Sequence, residues 1–188
     1  MARPRKDDGG PSACERIKNA FWEMMEEKGY EAITIGALCR TAKVSPNTLY
    51  YHFANLEEVA RDAFVENMPY ELPISVLQGR QRQVYGQLAE KESPLSLRAR
   101  RVMLFAGSDS GLLRSMATEY FIDAWLETLD VNRDELAEND LIALRFIASG
   151  VTAVLGSVPY DRFVPAVPDF LEGPLGRGIV EELQSLGK

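Results

Sequence analysis

The stretch Thr34–Phe53, TIGALCRTAKVSPNTLYYHF, decides the reading of this chain. Thr34 stands where an N-cap belongs, its hydroxyl placed to accept from a backbone N–H of the first helical turn. Ile35, Leu38 and Cys39 follow at helical spacing and give that helix one apolar side. The helix is expected to fade at Ala42-Lys43. Ser45-Pro46 restarts it, with Ser45 as cap and Pro46 at the first helical position, where a missing N–H costs nothing. Val44, Leu49 and Phe53 form the expected buried side of the second helix, which leaves Asn47, Thr48, Tyr50, Tyr51 and His52 on its outer sides. A short helix that offers amide, hydroxyl, phenol and imidazole groups to solvent, braced by another small helix, is a helix-turn-helix.

The flanks support that unit. Upstream, Ser12-x-x-Glu15 is a capping box that opens a helix with a core stripe of Ile17, Phe21, Met24 and Met25, and Gly29 is its natural stop. Downstream, Asn55-x-x-Glu58 opens a fourth helix to about Asn67, with Val59, Ala63 and Phe64 on one side and Pro69 and Pro73 ending it. Residues 1–11 carry Pro, Gly and charge with no apolar period and read as a disordered basic arm. Arg3, Arg5 and Lys6 of that arm reach a minor groove or a phosphate, or else simply stay solvated.

With these flanks, AFWEMMEEKGYEAITIGALCRTAKVSPNTLYYHFANLEEVARDAF is similar to the DNA-binding domain of the TetR family of transcriptional repressors. Lys28-Gly29-Tyr30, Thr34, Ala42-x-Val44-Ser45, Thr48-Leu49-Tyr50 and His52-Phe53 fall where that family's pattern puts them. Two positions depart from it: Leu56 stands where the family commonly has lysine, and Lys43 where it has a turn glycine. The first change removes a phosphate contact. The second places a cation near the backbone in a turn that favours a left-handed residue. The resemblance implies an all-α fold: a three-helix DNA-binding unit over 12–54, then a helical effector-binding and dimerisation domain of about six helices over 55–188. It also implies a homodimeric repressor of double-stranded operator DNA, released by a small-molecule effector.

Charge is divided accordingly. The whole chain carries −7, but residues 1–55 hold eight Lys/Arg against seven Asp/Glu, a net +1, and the remainder holds −8. Because phosphate neutralisation is local, this asymmetry runs in the direction DNA binding needs. Sorted by role, Asn47 and Tyr51, one turn apart, are the expected contacts to the major-groove floor, since an Asn side chain pairs with adenine N6 and N7. Pro46 and Thr48 add apolar contact. Thr34, Arg40, Lys43, Ser45, Tyr50 and His52 are assigned to backbone phosphates. For Thr34 and Ser45 the alternative is a capping role alone, and for Tyr50 it is packing.

Beyond the fourth helix the sequence predicts a helix over 72–91 interrupted by Gly79 and Gly86, another from Ser93-Pro94 to about Ala106, and a break at 107–111. Further helices follow over Leu112–Leu129 and from Arg133 to about Val158. Pro159, Pro165, Pro168 and Pro174 break up the next segment, and a last helix covers about Leu175 to Leu186. Phe146, Gly150, Ala153 and Ser157 form a stripe of mostly small residues that admits a close helix neighbour, either within one subunit or across the dimer that the resemblance implies. Phe64, Met68, Tyr85, Met103, Met116, Tyr120, Trp125 and Phe146 are core residues or, in part, the lining of a cavity for an apolar or aromatic effector. Arg145, Tyr120 or Tyr85 would be its polar handle, unless Arg145 pairs with an acid on a neighbouring helix.

Other classes find little support. With His52 as the single imidazole, no nucleophile–base pair is available, so no catalysis is expected. Cys14 and Cys39 make neither a disulfide framework nor a zinc site, and no metal or other cofactor is expected. No apolar run approaches the ~20 residues needed to span a bilayer, so the chain reads as cytoplasmic without membrane contact. Two rival readings stand: a regulator of the same fold without an effector, and a helical carrier or enzyme that has stopped using its helix-turn-helix.

Overall fold

The computed structural model describes residues 10–186, so most of the expected arm, residues 1–9, lies outside the described residues. The described residues form helices and no strands, in two compact units that divide between Ala63 and Phe64. This division falls inside the fourth helix rather than ahead of it at 54/55.

The first unit is built as its caps dictate. Helix α1 (Ala13–Lys28) starts from a complete Ser12–Glu15 capping box and ends at Gly29, whose positive φ of 73° suits a residue without Cβ. Helices α2 (Ile35–Ala42) and α3 (Pro46–His52) start where the sequence placed them. The fourth, α4 (Leu56–Val65), is opened by Asn55 Oδ1, which accepts from Glu58 N–H at 2.8 Å, while the Glu58 carboxylate accepts from Ala54 N–H. Ile17, Phe21, Leu38, Leu49 and Val59 are fully buried, and each contributes roughly 1.5–3 kcal/mol by leaving water. Val44, expected in that core, is only half-buried at the turn. Trp22 meets Phe21 edge-on at 5.3 Å, which accounts for it as packing.

The second unit holds α5 (Glu71–Leu77), α6 (Gln81–Gln87), α7 (Pro94–Ala106), α8 (Gly111–Leu129), α9 (Glu138–Ser157), α10 (Tyr160–Glu172) and α11 (Pro174–Ser185); with α4, the described residues after 55 hold eight α-helices where about six were expected. Three sequence expectations are corrected. The single helix over 72–91 is α5 and α6, because Gly79 takes a left-handed φ of 67° and turns the chain. Pro73, expected to end a helix, sits in the first turn of α5, where no donor is lost. The proline-rich segment, expected to be irregular, is the continuous helix α10, with Pro165 and Pro168 inside it. Each proline costs its helix about 3 kcal/mol or more. Val164 and Pro168 are buried, so packing opposes that cost.

Helix α9 also alters an expectation. Read as consecutive apolar residues it is interrupted by Asp140, Arg145, Ser149 and Thr152. Over an 18-residue window of this 20-residue helix, however, a mean hydropathy of 1.4 makes it long and apolar enough to cross a bilayer by length and composition. One flank (Leu144, Ile147, Ala148, Thr152) is buried in the unit, and Thr152 Oγ1 lies 3.1 Å from Thr118 Oγ1 of α8.

The close crossing on α9 is made by Gly156, not by the expected stripe. A Cβ there would fall 2.7 Å from the Ala106 carbonyl oxygen and 2.9 Å from Gly107 Cα. Both are backbone atoms, so α7 and α9 must part to admit a side chain. Gly156→Leu is therefore expected to lower unfolding stability by about 1–3 kcal/mol. Gly178→Ala in α11, where nothing lies within 4 Å, is expected to raise it by roughly 0.5–1 kcal/mol. Urea unfolding midpoints that move in the same direction would show that the crossing is not tight.

Candidate nucleic-acid interface

Every part of the α2–α3 turn has a local cause. Thr34 Oγ1 accepts from Ala37 N–H at 3.2 Å, and Ser45 Oγ accepts from Thr48 N–H at 3.0 Å. Both hydroxyls thus cap their helices, and Ser45 Oγ also lies 2.8 Å from Thr48 Oγ1. Between the helices Lys43 adopts φ 54°, ψ 47°, a left-handed conformation that disfavours a side chain by about 1–2 kcal/mol. Its N–H donates to the Arg40 carbonyl at 3.2 Å, and Val44 N–H to the Cys39 carbonyl at 3.0 Å, which closes the end of α2.

The orientation of α3 follows from what it buries. Leu49 and Phe53, one turn apart, face the core at 0% and 4% exposure. The opposite side therefore carries Asn47, Tyr50 and Tyr51, at spacings of three and four residues. Tyr51 is 85% exposed and Tyr50 57%, large fractions for aromatic rings. Packing within the unit therefore does not explain Tyr50. His52 is exposed and meets the Tyr51 ring edge-on at 5.1 Å. Pro46, Asn47, Arg40 and Lys43 are exposed around this row, and Thr48 is half-buried. The assembled surface is a ridge of amide and aromatic groups flanked by two cations and the capping hydroxyls, with no carboxylate on α3 itself.

Arg16 was read only as a charge, yet it organises this ridge. Its Nε donates to the Ala42 carbonyl at 3.3 Å and its Nη1 to the Pro11 carbonyl at 3.1 Å. It thereby ties the last turn of α2 to the start of α1. Its i, i+4 neighbours gave no sign of this, because the bond spans 26 residues. Lys18 and Asp62, 3.0 Å apart, similarly join α1 to α4. Burial pushes the Cys39 thiol up, so it stays protonated as a core residue. Among the described residues no group of three or more His, Cys, Asp or Glu is placed to hold a metal ion.

Residues 18–63, which include α2 and α3, match the family described as bacterial regulatory proteins, tetR family. Residues 18–63 therefore form a domain of the tetR family type. It is 35% identical over 72 residues to the uncharacterized HTH-type transcriptional regulator YdeS of Bacillus subtilis (strain 168), covering 38% of this chain and 34% of that protein. It is 33% identical over 52 residues to the HTH-type transcriptional regulator UidR of Escherichia coli (strain K12), covering 28% and 26%. The match spans about a third or less of these relatives' lengths. The crystal structure of the TetR family repressor AlkX from Dietzia sp. strain DQ12-45-1b, implicated in biodegradation of n-alkanes, aligns over 90% of this chain and 97% of that one. Its TM-score is 0.43 and its identity 18%.

In the second unit, which that match does not reach, the expected effector-site residues part company. Phe64 packs against Phe105, Tyr120 and Phe121, with ring centroids 4.3, 5.3 and 6.3 Å away, as an aromatic core. Met68 is buried, and Met103, Met116 and Trp125 are half-buried. Arg145 points outward, with its guanidinium 3.0 Å from Glu119, so the ion-pair alternative describes it. Phe146 is 81% exposed on the surface of α9, not in a cavity. Of the expected lining residues only Tyr85 borders the cleft between α6, α7 and α10. Gly150, Ala153 and Ser157 share the exposed face of α9 with Phe146.

Proposed function

We propose that the chain is a repressor that reads a pseudo-palindromic operator as a twofold homodimer and is released by a small effector. The observation that carries this reading is the outward row Asn47, Tyr50 and Tyr51 on a doubly capped α3, within a TetR-family domain. Two such helices related by a dyad would enter successive major grooves ~34–36 Å apart. Asn47 and Tyr51 meet bases, and the surrounding Thr34, Arg40, Lys43, Ser45, Tyr50 and His52 meet phosphates. The exposed face of α9 supports self-association, because Ile142, Phe146 and Val154 leave apolar surface in water. Helix α4 carries the chain from one unit into the next, so an effector in the second unit would act through it. It need only prefer the non-binding spacing by ~1–3 kcal/mol to shift occupancy.

Footprinting of genomic DNA with the purified protein tests the reading: protected sites with two half-sites one helical turn apart support it, and protection without dyad symmetry overturns the dimeric form. On the protected sequence, Lys43→Ala is expected to weaken binding to operator and random DNA alike and to reduce the salt slope by about one. An unchanged slope removes Lys43 from the contacts. A regulator without an effector is the second reading, favoured by the Phe64–Phe105–Tyr120–Phe121 packing, which fills space that an internal effector would need.

A further inference from the structure

The cleft that Tyr85 borders has a volume of about 380 Å³ and lies between the end of α6, the loop after it, α7 and α10. Leu88, Val164 and Pro168, all buried, supply an apolar floor. Tyr160 Oη donates to the Leu88 carbonyl at 2.9 Å and so holds α10 against the end of α6. The charged rim is uneven. Arg82 is already occupied: its Nε lies 2.5 Å from Glu172 Oε1 and its Nη2 2.8 Å from Asp169 Oδ1. Lys91 and Arg100 have no carboxylate partner among the described residues. Arg100 rests 4.0 Å over the Tyr160 ring, a contact that steadies a guanidinium without cancelling its charge. The Tyr85 hydroxyl also has no hydrogen-bond partner there. Burial pushes its pKa up to about 12, so it keeps its proton and remains a donor.

Two unpaired cations and one unpaired O–H therefore face a single acid, Asp161. This occurs in a segment, residues 64–188, that carries eighteen Asp/Glu against twelve Lys/Arg in all. Such a surplus of donors over an apolar floor fits an acceptor-bearing anion with a flat hydrophobic body. We propose that this cleft binds a small aromatic monocarboxylate, its ring on Leu88, Val164 and Pro168 and its carboxylate toward Lys91 and Arg100. Asp161 sets the limit of one charge, because a second carboxylate on the ligand would meet it. The proposal rests on the effector reading above and gives that effector a chemical class and a place.

The test is calorimetric titration of the full chain with benzoate, benzamide and phthalate. Benzoate is expected to bind at least about tenfold more tightly than its neutral amide and than the dianion. Lys91 is exposed and makes no contact that folding needs, so Lys91→Glu should keep the thermal unfolding midpoint while weakening benzoate by about tenfold or more. Arg100→Gln should act in the same direction. Equal affinity for benzoate and benzamide, unaltered benzoate binding in both variants, or no benzoate binding at all overturns the proposal. A gel-shift arm separates it from the reading it rests on. Benzoate that binds in the cleft yet leaves operator occupancy unchanged defeats the effector role and leaves the site standing. Release that persists in Lys91→Glu defeats the site and leaves the effector role standing.

Discussion

Asn47→Ala is expected to lower the preference for operator over random DNA by ~1–3 kcal/mol, the discrimination that one good bidentate base contact supplies. The expectation comes from position before chemistry. Leu49 and Phe53 fix which side of α3 is buried, and Asn47 then has no direction but outward. It caps nothing, because Ser45 holds the cap and Thr48 takes the other hydroxyl bond. Removing its amide should therefore cost the fold little and recognition much. Tyr51→Ala removes an 85% exposed ring that the same reading sets on the bases, and it is likewise expected to lower the preference for operator. The check is competition binding at fixed salt, operator against scrambled duplex, for both variants. If Asn47→Ala lowers both affinities equally, Asn47 is a phosphate contact and the base reading belongs to another residue.

The two units differ in how far the sequence foretold them, and the difference has a physical source. In the first, short-range chemistry decides: Ser12, Thr34 and Ser45 each cap the helix that follows, and Pro46 fixes the start of α3. Each rule acts within four residues, so it can be read from a string. The left-handed turn at Lys43 was legible for the same reason. Arg16 was not, since its acceptor at Ala42 is near only after folding. In the second unit the decisive facts are long-range. Pro165 and Pro168 predict a break locally, yet α10 is helical because Val164 and Pro168 are buried against neighbours far along the chain. The aromatic residues were a composition without an address: ring contacts assign Phe64 and Tyr120 to the core, while Phe146 lies outside it. The cleft is built from Tyr85, Lys91, Arg100 and Tyr160, which no spacing rule connects.

Phe146→Glu carries the largest expected effect. Phe146 is 81% exposed, and Ile142, one turn earlier, is 61% exposed. Gly150, Ala153 and Ser157 continue the same face with side chains small enough for a second helix to lie close. If that face is covered by a copy of itself, each Phe146 is buried near the dyad, and two glutamates there would be desolvated without partners. Leaving a charge so placed costs about 3–5 kcal/mol, enough to raise the dimer dissociation constant by orders of magnitude. Within its own chain the side chain is mostly in water, so helicity and the thermal midpoint of the protomer should change little. Light scattering after size exclusion is expected to show a folded monomer. Operator affinity should fall to that of a single half-site, because the second α3 no longer arrives tethered at high effective concentration. Phe146→Leu, which keeps the face apolar, should retain both properties. A Phe146→Glu protein that stays dimeric places the self-association surface elsewhere, whereas a monomer that still holds the full operator with native affinity removes the need for a dimer altogether.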